Sequence, residues 1–213
     1  RDNTLVIFTS DNGPETPVTF EESQGKWDDP LRDKCFGTPG IYRGMKRYTY
    51  EGGHRVPGIV RLPEVIPPGS TSDVLFNGTD ILPTICEIVG IRQPEGINID
   101  GVENFNAFLN NDETEREVPA IWFPPYRYTS VPMASMRFGD YSLIGWLPEK
   151  PDSISLESWV FSSNLSRFEL YNIRSDPGQL VDLSEEKRDV ISEMSPILKK
   201  YWIEMRDEGR QSD

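Results

Sequence analysis

The sequence predicts an α/β protein that ends in a small antiparallel sheet packed with a C-terminal helix. Three patterns support this fold class. Residues 4–9 are six mostly apolar β-formers with a continuous apolar run at residues 5–8, typical of a strand covered on both faces in a parallel α/β sheet. Residues 118–173 contain three or four strand-like segments with turn residues between them, which indicates an antiparallel sheet. Residues 190–205 repeat apolar side chains at helical spacing, which indicates a core-facing helix.

A polar pair follows the first predicted strand. Asp11 and Asn12 stand directly after the apolar run, and the carboxyl ends of strands in α/β sheets form the edge where ligands bind. Side-chain oxygens of this kind suit a hard cation such as Ca²⁺ or Mg²⁺. The stretch Asp-Asn-Gly-Pro also suits a plain tight turn, and on the local sequence alone we favour the turn.

The next segments predict a loop, a strand and a helix. Residues 13–45 are rich in Gly, Pro, Asp and Lys without periodicity, so we predict a long loop, which in a compact domain is usually functional. Residues 57–62 predict a short strand. A helix with an apolar face begins at Thr79 or Asp80 and ends at Gly90.

A change in composition divides the chain. Residues 110–117 are strongly charged, and we place a boundary there between a larger α/β part, residues 1–115, and a smaller α+β part, residues 116–213. The last helix carries two further signals. Asp182 with Glu185 forms a plausible capping box, and Ser195-Pro196 predicts a break into two helices.

Charge and composition exclude some functions. The 213 residues include 22 basic and 35 acidic side chains, a net charge of -13, which argues against nucleic acid and anionic membranes as partners. No apolar run approaches the length of a membrane span. Sequons at Asn77 and Asn164 favour an exported protein, whether extracellular, periplasmic or lysosomal. Because Arg1 stands just before the first strand, we expect this chain to be the C-terminal part of a longer one, with sheet partners upstream.

Residues 40–58 suggest an anion pocket. Glycines 44, 52 and 53 permit close backbone approach and positive φ angles. Lys46 lies among them as a cation that could hold a tetrahedral oxyanion. The alternative for this residue is an ordinary solvated lysine.

The order of these segments resembles the C-terminal half of the formylglycine-dependent sulfatases. The matching stretches run in the same order along the chain, namely "SDNGPE", "RGMKRYTYEGGHRVPG", "TDILPTICEIVG", "DGV" and "ELYNIRSDPGQLVDLS". The arylsulfatase A and galactosamine-6-sulfatase branch is nearest in style. The resemblance is strongest over residues 4–102 and 168–184, and it implies an alkaline phosphatase-like fold and sulfuric ester hydrolysis.

The resemblance implies roles for individual residues. Asp11 and Asn12 match ligands of the active-site Ca²⁺, or Mg²⁺ in some members, so the resemblance outweighs the plain-turn reading. Lys46 matches the lysine that contacts the substrate sulfate, and we assign it a catalytic and substrate-binding role. His54 matches no catalytic position and is interpreted as structural.

The family's nucleophile is not encoded here. Formylglycine arises from Cys or Ser in a C/S-x-P/A-x-R motif, and neither Cys35 nor Cys86 stands in one. Two free thiols suit these cysteines better than a disulfide, which stays open. We therefore expect the formylglycine to come from the N-terminal half of the same sulfatase, and this chain alone to be inactive.

Substrate and alternatives are interpreted from the surrounding residues. A sulfated carbohydrate is favoured over an aryl sulfate, with Arg43 or Arg127 pairing a second sulfate or a uronate. Aromatic residues 122–128 could stack on sugar rings or belong to the core of the sheet. The alternative function is a non-catalytic protein that binds sulfated glycans, and a phosphatase or phosphonate hydrolase is weaker. Homo-oligomerisation stays open.

Overall fold

The computed structural model divides the chain into two compact units. The first unit comprises residues 1–11 and 56–120, and the second comprises residues 12–55 and 121–213. The boundary drawn from composition, between residues 115 and 116, stays a prediction. The structure describes residues 3–15, 37–97, 99–105, 108–109, 118–123 and 133–211.

The first unit opens with a two-stranded sheet. Strand β1 (Val6–Thr9) pairs with β2 (Gly58–Arg61), so both predicted strands are confirmed. Their pairing is antiparallel, and Phe8 lies opposite Ile59. The apolar run predicted a parallel strand covered on both faces, but among the described residues β1 has only this antiparallel partner, and Phe8 is 61% exposed.

The helix of the first unit is also confirmed. A single 3-10 turn, Gly78–Asp80, leads into helix α2 (Ile81–Val89), and Gly90 ends it with φ 69° in the left-handed region. The Asp80 carboxylate is buried and accepts hydrogen bonds from the backbone N–H groups of Asn77 (2.8 Å) and Val102 (2.9 Å). These bonds satisfy donors at the start of the helix and tie it to the chain that follows.

A four-stranded sheet organises the second unit. Its strands are β3 (Ala120–Trp122), β4 (Met133–Phe138), β5 (Tyr141–Trp146) and β6 (Arg167–Asn172), in the order β3-β4-β5-β6. The pairs β4–β5 and β5–β6 are antiparallel. The predicted antiparallel sheet is therefore confirmed.

The two faces of this sheet differ in chemistry. On one face Met136, Leu143 and Leu170 are fully buried neighbours across three strands, in the same core cluster as the C-terminal helix. On the other face the adjacent rung is Arg137, Ser142 and Tyr171. The side-chain period of two in a strand separates an apolar face from a mixed one, on which Ile144 and Tyr171 form a second buried cluster with Tyr50.

Helix α4 (Arg188–Gln211) packs on the apolar face through Met194, Leu198 and Trp202, which confirms the predicted sheet with a C-terminal helix. The predicted break at Ser195-Pro196 is wrong, since Pro196 lies inside one continuous helix. Burial of Met194 and Leu198 on either side of the proline offsets the lost hydrogen bond. None of the helices within the described ranges combines the length and apolar character that a membrane span requires.

Two local assignments differ from the sequence prediction. The capping box is wrong because Asp182 accepts instead from the N–H groups of Leu170 (3.1 Å) and Ser184 (2.9 Å), and α4 begins later, at Arg188. A helix that we did not predict, α3 (Leu156–Ser162), is capped by the hydroxyl of Ser155 and buries Trp159 and Val160. The single turn α1 (Glu51–His54) was not predicted either.

Candidate functional site

The turn after β1 contains the predicted metal ligands. Asp11 is exposed and ends the first segment of the first unit, and Asn12 is half-buried and begins the second unit. The Asn12 side-chain amide donates to the carbonyl of Gly13 (2.9 Å). The side chain of Asn12 is thereby oriented by its own turn, as expected for Asx residues in turns.

Glycines let this turn approach helix α1 closely. The N–H of Gly13 donates to the carbonyl of Gly53 (2.8 Å). A Cβ atom on Gly13 would lie 2.0 Å from the carbonyl oxygen of Gly52, and one on Gly53 would lie 1.9 Å from that of Tyr48. These positions therefore need glycine for the space that it leaves, because no side chain fits between the backbones.

Lys46 lies beside the same turn. Its N–H donates to the carbonyl of Pro14 (2.9 Å), and its ammonium group lies 3.2 Å from Glu15 Oε2. Arg47 pairs with the other carboxylate oxygen, Oε1. Arg47 also has φ 77°, a left-handed conformation that is uncommon for a residue other than glycine. The adjacent cations Lys46 and Arg47 thus each pair with one oxygen of the Glu15 carboxylate.

The Glu15 carboxylate is held in its charged form. Burial alone would raise its pKa, but the hydrogen bonds and positive charges of Arg47 and Lys46 outweigh burial and lower the pKa below its ordinary value. Glu15 is therefore ionised at neutral pH and balances the cations in this structure.

A second carboxylate, Glu51, is almost completely buried at the start of α1, with 1% of its surface exposed. Arg137 Nη1 lies 3.1 Å from both of its oxygens, and Arg55 Nη1 lies 3.3 Å from Oε2. The Glu51 backbone N–H donates to the side-chain oxygen of Gln179 (2.8 Å). Such pairing is what makes a buried charge tolerable.

Arg43 belongs to a neighbouring network. Its guanidinium donates to the Tyr171 hydroxyl (2.9 Å) and the Gln179 carbonyl (3.3 Å), and lies 4.0 Å from the centre of the Tyr50 ring. Both tyrosine hydroxyls donate to Glu169. Burial, together with the Glu169 charge, raises the pKa of both phenols, that of Tyr171 to about 12. Arg43 is thus engaged inside the second unit, and its role toward substrate stays a prediction.

His54 packs inside the second unit. Its ring stacks on Trp122 with centroids 3.9 Å apart and planes at 9°. Burial lowers its pKa to about 4, although the nearby Glu51 charge acts in the opposite direction. His54 is therefore neutral at pH 7, as its structural interpretation requires. Phe123 is partly buried against the core cluster near Trp202, and Trp122 is half-buried on the His54 ring. Stacking of these aromatic residues on sugar rings stays a prediction.

Comparison with known proteins identifies the family. Residues 1–91 match the family model described as Sulfatase. The chain is 31% identical over 205 residues to an N-acetylgalactosamine-6-O-sulfatase of Bacteroides thetaiotaomicron, covering 92% of this chain and 36% of the relative. It is 40% identical over 201 residues to human steryl-sulfatase, covering 88% of this chain and 30% of the relative. The chain belongs to the sulfatase family.

Solved sulfatase structures agree. One from work on glycosaminoglycan metabolism by Bacteroides thetaiotaomicron aligns with a TM-score of 0.66 at 29% identity, covering 94% of this chain and 39% of that one. A sulfatase of Pseudoalteromonas aligns with a TM-score of 0.60 at 23% identity, covering 94% and 37%, which concerns the fold alone. The chain thus spans about a third of the length of these sulfatases and corresponds to a C-terminal portion of them.

The donors present fit part of a sulfatase cation site. Asp11 supplies a carboxylate and Asn12 a carboxamide, both oxygen donors of the kind that Ca²⁺ and Mg²⁺ prefer. Within the ranges described, no group of three or more His, Cys, Asp or Glu is placed to hold a metal ion. Such cations need six or more oxygens, so the role of Asp11 and Asn12 as metal ligands stays a prediction that requires further donors.

The structure brings some of the predicted site residues close together, whereas others lie outside the described residues. It brings Lys46 next to the turn that contains Asn12, through the bond to Pro14. Arg127 lies outside the described residues, as does Cys35, whereas Cys86 is a buried free thiol. Sequence reasoning missed the residues that form these networks, because a single ion pair or hydrogen bond leaves no periodic signal. They are Glu15, Arg47, Glu51, Gln179 and Arg137.

Proposed function

We propose that this chain forms the C-terminal part of a sulfatase that hydrolyses sulfate esters, and that it binds the sulfate group through Lys46. The observation that supports this proposal is the grip of Lys46 and Arg47 on the two oxygens of Glu15. A sulfate ester has the same net charge as a carboxylate, on oxygens of similar spacing, so Lys46 and Arg47 are suited to bind it. Sulfatase relatives support the same reaction.

Lys46 acts by electrostatics in this proposal. Its ammonium group holds a sulfate oxygen and neutralises the negative charge that grows on the oxygens, and on the leaving alcohol, as the ester bond to sulfur breaks. Sulfuryl transfer resembles phosphoryl transfer in needing positioning and charge neutralisation more than covalent chemistry from side chains. Glu15 must give way to the substrate, since both bind the same cations.

Asp11 and Asn12 would hold Ca²⁺ or Mg²⁺ together with carboxylates from the upstream portion. When bound, the cation supplies Lewis-acid polarisation of the sulfate. The formylglycine nucleophile also comes from upstream, so this chain alone is proposed to be inactive and its first partner is the N-terminal half of the same sulfatase.

A sulfated carbohydrate is the proposed substrate class. It is supported by the name of the Bacteroides relative, an N-acetylgalactosamine-6-O-sulfatase. Arg127 is the proposed contact for a second anionic group, because the guanidinium of Arg43 is engaged by the Tyr171 hydroxyl and the Gln179 backbone carbonyl. The human steryl-sulfatase relative makes hydrophobic sulfate esters the competing class. The sequons favour an exported protein, whether extracellular, periplasmic or lysosomal.

The test uses the complete protein, containing this chain and the upstream portion. We expect hydrolysis of N-acetylgalactosamine 6-sulfate and of nitrophenyl sulfate, with much weaker action on nitrophenyl phosphate. Lys46→Ala should lower kcat/KM for the sulfate esters about 100-fold or more, because a cation aimed at developing charge is lost. Lys200→Ala is the matched control, since Lys200 pairs with Glu204 on the exposed side of α4.

Three outcomes separate the alternatives. Full activity in Lys46→Ala would contradict the proposed role of that residue. An intact protein that binds sulfated glycans without hydrolysing them would be the non-catalytic relative instead. Preference for the phosphate ester would make it a phosphatase of the same superfamily.

A further inference from the structure

Helix α1 lies at the junction of two groups of contacts. Its first residue, Glu51, is bonded to Arg137 on strand β4 and to Gln179 after strand β6. Arg137 stands 86 residues from Glu51 in the chain. The four-stranded sheet and the segment after it therefore hold the first residue of this short helix through hydrogen bonds.

The backbone of α1 contacts the segments that contain the candidate site. The N–H of Gly52 donates to the carbonyl of Arg43 (2.7 Å), at the start of the Lys46 loop. The carbonyl of Gly53 accepts from Gly13 (2.8 Å), directly after Asn12. A displacement of α1 would thus move the loop of Lys46 and the turn of Asn12 together.

Of the two ion pairs that Glu51 makes, the one with Arg137 is the better buried. The Arg137 side chain is 16% exposed, whereas that of Arg55, which also contacts Glu51, is 45% exposed. Water screens the outer pair more than the inner one. The Nη1 nitrogen of Arg137 lies 3.1 Å from both carboxylate oxygens of Glu51, so this one nitrogen contacts the whole carboxylate.

We propose that Arg137 is a positioning residue for sulfate hydrolysis, which acts through Glu51 and α1 to hold Lys46 and the Asn12 turn in their working geometry. The proposal rests on the proposed function and adds to it that the small C-terminal sheet takes part in catalysis. The effect of Arg137 on Lys46 is indirect, because it runs through Glu51 and the backbone of α1. Small displacements of positioned groups cost large factors in rate.

The experiment compares four variants of the complete protein. Arg137→Met removes the pair, and Arg137→Lys keeps the charge. Glu51→Gln with Arg137→Met removes both charges, so that no buried carboxylate is left with only the more exposed Arg55 as its partner. Arg174→Met is the control, because Arg174 pairs with Asp140 near the same sheet but is 71% exposed. We measure Tm, kcat and KM for nitrophenyl sulfate, and hydrogen exchange at the amides of Gly13 and Gly52.

We expect Arg137→Met to lower kcat about tenfold or more at temperatures where it is fully folded. Exchange at the Gly13 and Gly52 amides should accelerate, Arg137→Lys should recover part of kcat, and Arg174→Met should resemble the wild type. The double variant should regain Tm over Arg137→Met without regaining kcat, which a role in stability alone would not produce.

Two results would overturn the proposal: kcat within about twofold of wild type in folded Arg137→Met, or unchanged exchange at the two amides. If the wild-type protein shows no sulfatase activity, the proposed function fails, and the exchange measurement still decides whether Arg137 holds these segments.

Discussion

At the scale of single residues, the main feature of the candidate site is competition for two cations. Glu15 occupies Lys46 and Arg47 in this structure, and the proposed substrate needs at least the first of them. A bound carboxylate of the same molecule lowers the apparent affinity for an external anion, because the internal pair must open first. Under the proposed function, Glu15 should therefore weaken the binding of sulfate.

We predict that Glu15→Gln in the complete protein strengthens competitive inhibition by inorganic sulfate about three- to tenfold, since the amide no longer competes with the anion. Inhibition constants measured at pH 7 check this. Glu193→Gln, an exposed change on α4, is the control and should have no effect. Unchanged or weaker inhibition in Glu15→Gln would show that the carboxylate does not obstruct the sulfate position.

Glu15 also makes the stability of the fold depend on pH, in a direction that follows from its lowered pKa. Because the folded-state pKa of Glu15 is lowered, its ion pairs stabilise the fold above the unfolded-state pKa, and this stabilisation is lost as pH falls through the lower folded value. Sulfate inhibition of the wild type should strengthen over that same fall in pH. Glu15→Gln should lack the strengthening.

At the scale of elements, the site depends on backbone packing more than on side chains. The loop that contains Lys46, the turn that contains Asn12 and helix α1 meet through N–H to carbonyl bonds between 2.7 and 2.9 Å. Glycines at the points of contact leave no space for a Cβ atom. The run Glu-Gly-Gly in the sequence thus serves a structural requirement next to the proposed sulfate site.

We predict that Gly53→Ala lowers the free energy of unfolding by about 2 kcal/mol or more, because its Cβ would lie 1.9 Å from the carbonyl oxygen of Tyr48 and backbone must move. Gly78→Ala is the matched control, since its Cβ would meet no atom within 4 Å. Denaturant unfolding of both variants checks the prediction. Equal stability of the two would mean that α1 yields easily.

At the scale of the whole molecule, the first unit exposes apolar side chains that a protein usually covers. Phe8 and Ile59 face each other across β1 and β2, and each is 61% exposed. The relatives are about three times as long as this chain, which covers 36% of the Bacteroides relative and 30% of human steryl-sulfatase. We therefore infer that the upstream portion of the sulfatase covers this face.

We predict that Phe8→Thr has a different effect in this chain alone and in the complete protein. In this chain expressed alone it should reduce binding of a hydrophobic dye, because an exposed aromatic ring is removed. In the complete protein it should lower the free energy of unfolding by about 2–4 kcal/mol, because the ring is then in the core. Leu180→Thr, at a side chain that is 83% exposed, is the control. Equal stability of the complete wild-type and Phe8→Thr proteins would show that this face stays open.

The sequence by itself determined the order of most elements and the family. Strand alternation and helical spacing are local patterns, so the sheet, α2 and α4 could be predicted from them. Motif order pointed to Asp11, Asn12 and Lys46, whose roles stay predictions. The local signals failed where packing overruled them, as at Pro196, which lies inside one continuous helix.

Only the tertiary structure decided how the candidate site is held. The pair Glu51–Arg137 joins residues 86 positions apart, and the contacts of Arg43 with Tyr171 span 128 positions. No periodicity in the chain encodes such pairs, because they depend on which polar rung of the sheet faces a particular loop. Burial then selects among the charged residues, since a carboxylate withdrawn from water must find a cation that is withdrawn with it.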